Sequence, residues 1–411
     1  MEQFDVVIIG GGVCGLSASI EVRRLGKSVL ILEKDNYVGG ILKQCIHEGF
    51  GLIKFRENLT GPEYLEKLIE DSERLGVEIR TKAFVTSIEK STSFVIKYID
   101  SKGVNTIRAN AVILSTGARE RTAKQFFLQG DRPSGIFTAG ETQYYVNVLG
   151  KMPTKKCVVL GSGDIGLIMA RRLTIEGSKV LCVLEKESTP VGLARNVKKC
   201  LDDYDIPLLL NHTITRVIGR GRVESVEIAK VVNGEIDEAS KTIVECDAVI
   251  LSVGLIPEIG LIENFELTLD EKTLSAAVDQ TMMTSVDGLF VCGNALHNND
   301  FADYVSETGE TAGKNAALYK YHPTNEVENI AGDNILYVIP QKIDLTRTHD
   351  RVICYFKTTK QMKDMTLKVH NNGKLITCKQ YKNVPSSGLL RVMVDFATVE
   401  DKEVVFTVGE N

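Results

Sequence analysis

Along this chain apolar residues gather into short runs, and two of those runs stand in the same local setting. Residues 4–9 and 157–160 are nearly unbroken apolar segments. That pattern is expected of strands buried on both faces in a parallel sheet, whereas half-exposed strands would alternate. Each run passes through a glycine-rich turn into a stretch with helical spacing, the first helix being expected over 15–25. A second helix is expected over 61–75, with strands near 77–79, 94–98 and 111–114. From about 121 to 245 the pattern restarts around the second turn. Two further apolar runs, 248–252 and 289–292, lead to Gly254 and to Gly293-Asn294. Strands alternating with helices predict an α/β architecture, and the simplest arrangement is one such domain interrupted by another of similar design.

Beyond 319 the texture changes. The segments 351–357, 365–369, 389–394 and 403–408 alternate apolar and polar residues, which predicts half-buried strands. Asn372-Gly373 between 366–369 and 374–378 is a hairpin signal, because both residues tolerate the positive φ of a tight two-residue turn. The expected organisation is a discontinuous first domain over 1–120 and 246–320 and an inserted domain over 121–245. A polar linker over 321–334 then leads to a small all-β domain, a sandwich, over 335–411, whose expected role is packing or partner contact.

The two turns read Gly10-Gly11-Gly12-Val13-Cys14-Gly15 and Gly161-Ser162-Gly163-Asp164-Ile165-Gly166. In this spacing the first glycine permits the tight turn, the second lets the backbone approach a pyrophosphate, and the third lets helix and strand pack closely. The helix N-terminus then offers unpaired N–H groups and partial positive charge to phosphates. An acid follows each turn near the end of the next strand: Glu33, with Lys34 beside it, and Glu185. Such a carboxylate accepts hydrogen bonds from a ribose diol. One glycine motif alone carries little weight, but two in register, each with its strand, helix and acid, predict two bound dinucleotides.

Composition narrows the class. Hydrophobic residues make up 43% and charged residues 25% of the 411, ordinary values for a globular enzyme. Lys and Arg total 49 against 54 acids, a formal charge of −5 with no basic block, which argues against nucleic acid as a partner. The first strand begins by about residue 4 and no apolar run approaches ~18 residues, so no signal peptide, no membrane insertion and a cytoplasmic location are expected. The nine cysteines are scattered, Cys182 and Cys200 being the nearest pair in sequence. They form no CxxC pair and no iron–sulfur spacing, and they argue against a disulfide scaffold. No metal site is expected.

Taken in order, the first turn, Glu33, Gly39-Gly40, Thr116-Gly117-Ala118, the second turn and Gly293-Asn294 resemble the two-dinucleotide-binding-domain flavoproteins. That class includes thioredoxin reductase and the disulfide reductases. The resemblance covers about 1–320 and leaves out the β-rich tail. Within the class, Gly39-Gly40-Ile41-Leu42-Lys43-Gln44-Cys45-Ile46-His47 and Cys292-Gly293-Asn294-Ala295-Leu296-His297 are similar to the flavoprotein found with bacterial glycerol-3-phosphate dehydrogenases. They are also similar to the FAD/NAD-binding subunits of opine oxidase, hydrogen cyanide synthase and dye-linked proline dehydrogenase.

The resemblance implies two Rossmann-like domains, the second inserted in the first, with FAD at the first site. Gly10, Gly12 and Gly15 would meet its pyrophosphate, Glu33 its adenosine ribose, Val85 would lie near the adenine, and Lys34 would belong to the same site. Gly40, Ile41, Thr116 and Gly117 would complete that site with Gly293 and Asn294. Many members of the class have Asp where this chain has Asn294, and Asn still donates and accepts there. The helix beginning near 303–309 would aim its N-terminal dipole at the flavin N1–O2 edge. A nicotinamide dinucleotide would lie on Gly161, Gly163, Asp164, Ile165, Gly166, Glu185 and Gly254. Glu185 would repel a 2′-phosphate, favouring NADH, while Lys186 and Arg195 leave NADPH open.

The implied chemistry is hydride transfer between nicotinamide C4 and flavin N5, for which a protein supplies proximity and orientation. The next electron step is open. Cys45 sits near the place where disulfide reductases carry a CxxxxC pair; it is either a lone redox thiol or a packing residue beside the flavin. His47 and His297 are either proton shuttles or hydrogen-bonded structural residues. Lys43 and Arg119 are either charges for an anionic substrate or solvated surface groups. Three functions follow: an FAD-dependent NADH oxidoreductase reducing a small-molecule acceptor such as a quinone, a dye or oxygen; an electron-transfer subunit of a dehydrogenase for glycerol-3-phosphate or an amino or imino acid; or a non-catalytic redox sensor. The expected partners are that acceptor and a second dehydrogenase subunit or a second copy of the chain.

Overall fold

The computed structural model describes residues 1–347, 351–384 and 388–410. The chain divides into two compact units, Met1–Ala118 with Pro257–Asn411, and Arg119–Ile256. The α-helices among the described residues are α1 (Val13–Arg24), α2 (Gly61–Arg74), α3 (Ala139–Asn147), α4 (Asp164–Ile175), α5 (Ala194–Cys200) and α6 (Ala302–Ala317). None of them is long and apolar enough to cross a membrane.

In the first unit the strand Gln3–Ile9 runs parallel to Val29–Leu32 on one side and Gly103–Leu114 on the other. Val6, Val7 and Ile8 are wholly buried at its centre, as the unbroken apolar run requires. Local signals fix α2. Thr60 and Glu63 form a capping box at its start, and Tyr64, Leu65 and Leu68 supply its buried stripe. Two glycines let α6 lie against α1: a Cβ at Gly309 would strike the Cys14 carbonyl, and one at Gly313 the Ala18 carbonyl. The Ser17 hydroxyl donates to Ser306 across the same seam, at 3.0 Å. This close packing ties the helix that follows the first glycine turn to the helix that follows Gly293-Asn294.

The second unit holds a parallel sheet in the order Ile136–Thr138, Ala248–Leu251, Lys156–Leu160, Lys179–Glu185, Leu208–Leu210. The chain leaves the first unit through Ala118–Glu120 and comes back through Leu255–Pro257, and these two short strands pair with each other. The return falls at 256/257, later than the 246 expected from the sequence. The reason is that Ala248–Leu251 pairs with Lys156–Leu160 and Ile136–Thr138, inside the inserted sheet.

The C-terminal segment forms a five-stranded and a three-stranded sheet. They share one core, with Val338, Phe356 and Val392 from the smaller sheet meeting Leu367, Val369 and Phe406 from the larger. Asn372 and Gly373 turn the hairpin with φ of 49° and 73°. The stretch expected as a linker differs from that expectation: Glu326–Ala331 is a strand, parallel to Glu403–Glu410, and it buries Val327. The β-domain also clusters with the first unit, because Tyr337, Ile339, Tyr355 and Leu389 join the same apolar core as Val6 and Ile8.

Candidate dinucleotide sites

The two glycine turns are built alike. Gly10 and Gly161 have φ of +105° and +96°, and a Cβ on either would run into a neighbouring carbonyl, that of Ser115 or Ser252. Gly15 and Gly166 are equally constrained. A Cβ on Gly15 would strike the Gly10 carbonyl, and one on Gly166 would lie 2.6 Å from the Ser252 Cβ. The middle glycines are different. A Cβ on Gly12 would meet nothing nearer than the Gly40 Cα, at 3.9 Å, and one on Gly163 would lie 3.2 Å from the Ser252 hydroxyl. The fold therefore demands the first and third glycines, while Gly12 leaves room beside a helix N-terminus and Gly163 is limited only by the Ser252 hydroxyl, in keeping with a pyrophosphate-binding turn.

Ser115 and Ser252 were not singled out from the sequence. The Ser115 hydroxyl donates to the Ile9 and Gly10 carbonyls at 3.0 and 2.8 Å. The Ser252 hydroxyl accepts from the Gly166 N–H at 3.2 Å. A signal was present: Ala111-Val112-Ile113-Leu114-Ser115 and Ala248-Val249-Ile250-Leu251-Ser252 are the same five residues, each with glycine two positions on, at Gly117 and Gly254.

The two acids repeat this parallel. Glu33 accepts from the Gly11 N–H on Oε2 at 2.7 Å and from the Asp35 N–H on Oε1 at 2.8 Å. Glu185 accepts from the Ser162 N–H on Oε2 at 2.9 Å and from the Glu187 N–H on Oε1 at 3.0 Å. Both carboxylates are buried, and charge-assisted bonds from the backbone offset the cost of desolvating them. Each is held rigid, with lone pairs left over for a ribose diol.

Helix ends add a third parallel. Among the helices of nine or more residues, α2 and α3 are capped by Thr60 and Thr138, whose hydroxyls accept from the third helical N–H. The N-cap residues of α1, α4 and α6 make no such side-chain bond, although in α4 the third helical N–H, that of Gly166, is taken by the Ser252 hydroxyl. Uncapped helix N-termini present free N–H groups and partial positive charge, which suits a phosphate or an electron-rich ring edge.

The other expected cofactor residues sit around these turns. The Gly39 N–H donates to the Gly11 carbonyl at 2.8 Å, and Gly40, at φ +54°, faces Gly12. Ile41 and Lys34 are exposed and Val85 is buried. The Thr116 hydroxyl and the Gly117 carbonyl both bind the backbone of Glu258, anchoring that turn on the returning chain. Gly293 has φ +63°, and a Cβ there would press on Cys14. The Asn294 side-chain oxygen accepts from the Asn299 N–H and amide at 3.1 and 3.3 Å, which leaves its NH2 as the group able to donate elsewhere. The Asn299 side-chain oxygen is buried without a hydrogen-bond partner among the described residues, an orphan that a polar ligand would satisfy. Asp164 and Ile165 use their side chains elsewhere. Asp164 accepts from the Leu193 N–H and the Asn196 amide at 2.8 and 2.7 Å, and the partly buried Ile165 packs on the core. Gly254, at φ +101°, lies beside Arg121.

A family model for pyridine nucleotide-disulphide oxidoreductases matches residues 4–317. The chain belongs to that family. It is 26% identical over 314 residues to a thioredoxin reductase of Treponema pallidum, across 75% of this chain and 94% of that protein. It is 25% identical to ferredoxin–NADP reductase 2 of Bacillus licheniformis, across 77% and 93%. Among solved structures, the thioredoxin reductase of T. acidophilum superposes with a TM-score of 0.64 at 26% identity, covering 78% of this chain and 98% of that one. This is an FAD-dependent NAD(P)H oxidoreductase with two Rossmann-like domains.

The buried thiols of Cys157, Cys182, Cys246 and Cys292 are poorly suited to act as nucleophiles. Burial pushes the Cys157 thiol up to about 12 and those of Cys182 and Cys246 up to about 11. A hydrogen bond with Cys14, together with burial, pushes the Cys292 thiol up as well. Cys45 is half-buried after the turn Gly40–Gln44, and its thiol donates to the Ile41 carbonyl at 3.5 Å. His47 lies two positions on, with Nδ1 3.0 Å from the Glu48 carbonyl and its ring on Phe50.

His297 sits elsewhere in the oxidoreductase, beneath the β-domain. It is 1% exposed, neither ring nitrogen has a partner among the described residues, and Tyr337 and Tyr355 flank it. Burial, helped by the charge of Lys357, lowers its pKa to about 3, so its ring stays neutral through the range where a proton shuttle works. An unfolded histidine titrates near 6.5. As pH falls below that value the unfolded chain takes up a proton that the folded chain refuses until about 3, so stability drops across this window. Thermal unfolding of the flavin-free oxidoreductase should show a loss of about 2 kcal/mol between pH 7 and pH 5 that His297→Leu removes. Equal pH slopes in parent and variant would place the titration on another group.

Proposed function

We propose that this enzyme moves a hydride between NADH and FAD and passes the electrons to a small-molecule acceptor. The observation that carries the reading is the matched pair of turns at Gly12 and Gly163, each at a helix whose N-cap residue offers no side-chain cap and each beside a buried acid. Bound at the first turn, FAD would supply a two-electron carrier between nicotinamide and acceptor. Gly12 and the α1 N-terminus receive its pyrophosphate, Glu33 its ribose, and the NH2 of Asn294 its ribityl chain. Gly163, the α4 N-terminus and Glu185 do the same work for the nicotinamide dinucleotide.

NADH is favoured because Glu185 is fixed from both sides, by the Ser162 and Glu187 N–H groups, and cannot swing away from a 2′-phosphate. A small acceptor is favoured over a protein disulfide. The four cysteines of the inserted unit, Cys157, Cys182, Cys200 and Cys246, are buried, with thiols pushed up by desolvation, and no two form a CxxC pair.

The test is the visible spectrum of the purified chain, followed by anaerobic addition of NADH and then NADPH. Flavin bands that NADH bleaches fast and NADPH bleaches slowly are the expected result. Bound flavin that neither cofactor bleaches would overturn the reading in favour of a dehydrogenase subunit fed by a partner, of the kind associated with glycerol-3-phosphate or amino-acid oxidation. A chain without flavin would overturn it altogether.

A further inference from the structure

We infer that the C-terminal β-domain is a retaining wall of the flavin site, so that FAD leaves only when the contacts between this domain and residues 297–307 open. The inference rests on the reading above that FAD lies beside Asn294 and the α6 N-terminus. The family model ends at 317, so the wall is an addition to the family frame.

Three groups of contacts make the latch. The rings of Tyr337 and Tyr355 close over His297, with centroids 5.9 and 6.0 Å away, and Tyr355 also lies 5.5 Å from Tyr304. The Leu389 N–H donates to Asp300 at 2.5 Å. Arg391 grips Glu307 of α6 in a two-pronged pair, Nε to Oε2 at 2.9 Å and Nη2 to Oε1 at 2.6 Å, and the Tyr355 hydroxyl donates to the same carboxylate. A planar, part-buried arginine–carboxylate pair of this kind is both directional and stronger than a solvated one.

These contacts bear on the residues nearest the expected flavin. His297 and Asp300 bracket Asn299, whose N–H and amide hold the Asn294 oxygen and whose amide also donates to the His297 carbonyl at 3.0 Å. Releasing the domain frees Asp300 and uncovers His297. Asn299 then has less to hold it against Asn294, and the first turn of α6 loses its outer support. Tyr337, Tyr355, Asp300, Glu307 and Arg391 are thus positioning residues. They lie apart from the β-domain's own core around Phe356, Leu367 and Phe406, so the latch can be altered without emptying that core.

The test uses the full flavin-loaded chain and follows FAD release by the rise in free-flavin fluorescence after dilution. Arg391→Glu and Glu307→Arg should each speed release about tenfold, the effect of losing one strong charged pair. The double variant Glu307→Arg/Arg391→Glu re-forms the pair with its charges exchanged and should return the rate to near that of the parent. Tyr355→Phe, which removes a single hydroxyl, serves if a charge variant fails to fold and should speed release about threefold. Unchanged release in the single variants, or in Tyr355→Phe where it stands in for them, overturns the inference. So does a double variant as fast as the singles. A parent chain that purifies without flavin fails at the functional reading instead, which the spectrum alone reveals.

Discussion

Gly12→Val purifies folded and colourless. Gly12 is the N-cap of α1 in extended backbone, φ −76° and ψ −171°, a region that a β-branched residue adopts readily. Its Cβ would find no protein atom nearer than 3.9 Å, so the fold accommodates it, with a cost of about 1 kcal/mol for an apolar residue at a helix cap. The isopropyl group would instead occupy the space through which the pyrophosphate approaches the α1 N–H groups. FAD binding should weaken at least about a thousandfold, roughly 4 kcal/mol, because the phosphate contacts at that helix end are lost together. Absorbance at the flavin bands after purification, with circular dichroism as the control for folding, checks this. A yellow Gly12→Val protein with parental flavin content would remove the first turn from the cofactor site.

The second large effect separates the two sites. Gly163→Val should keep its flavin and lose most of its reduction by NADH, by about a hundredfold or more at a fixed NADH concentration. The new Cβ would lie 3.2 Å from the Ser252 hydroxyl, which must give by a few tenths of an ångström. That hydroxyl accepts only the Gly166 N–H among the described hydrogen bonds, so the adjustment is local to the second turn. Stopped-flow bleaching under anaerobic conditions reads the result directly. Reduction at the parental rate would show that the nicotinamide enters elsewhere.

Features governed by neighbours in sequence were legible before the fold was known. The α2 helix announces itself through Thr60, Glu63 and the spacing of Tyr64, Leu65 and Leu68. The hairpin at Asn372-Gly373 needs positive φ at both positions, and both residues supply it. The glycine turns carried their own grammar of strand, spacing and acid. What stayed hidden depends on distant partners. Ser115 and Ser252 act across a sheet on turns far back in the chain, although their identical five-residue settings could have drawn the eye. Glu326–Ala331 reads as a polar connector because only its pairing with Glu403–Glu410 makes it a strand. His297 stands beside Asn294 in sequence and so resembled a candidate shuttle. Its neutral, enclosed state is imposed by Tyr337 and Tyr355, which belong to a different sheet.

The paired strands at Ala118–Glu120 and Leu255–Pro257 bring the entrance and exit of the inserted unit together. The Gly254 carbonyl accepts from the Arg121 N–H at 3.0 Å, and the Gly117 carbonyl from the Glu258 N–H at 2.9 Å. A segment whose ends meet in this way is a cassette: it closes on itself, and its removal or replacement asks the host sheet to break no strand pairing of its own. The repeated pentapeptide ending in Ser115 and Ser252 stands at the same point of each unit, which is what a copied ancestor inserted into its own sibling would leave behind. On the proposed placement of the two cofactors, nicotinamide preference and flavin retention would sit on separately exchangeable pieces of chain, so selection could retune one by swapping the cassette while the other stays as it was.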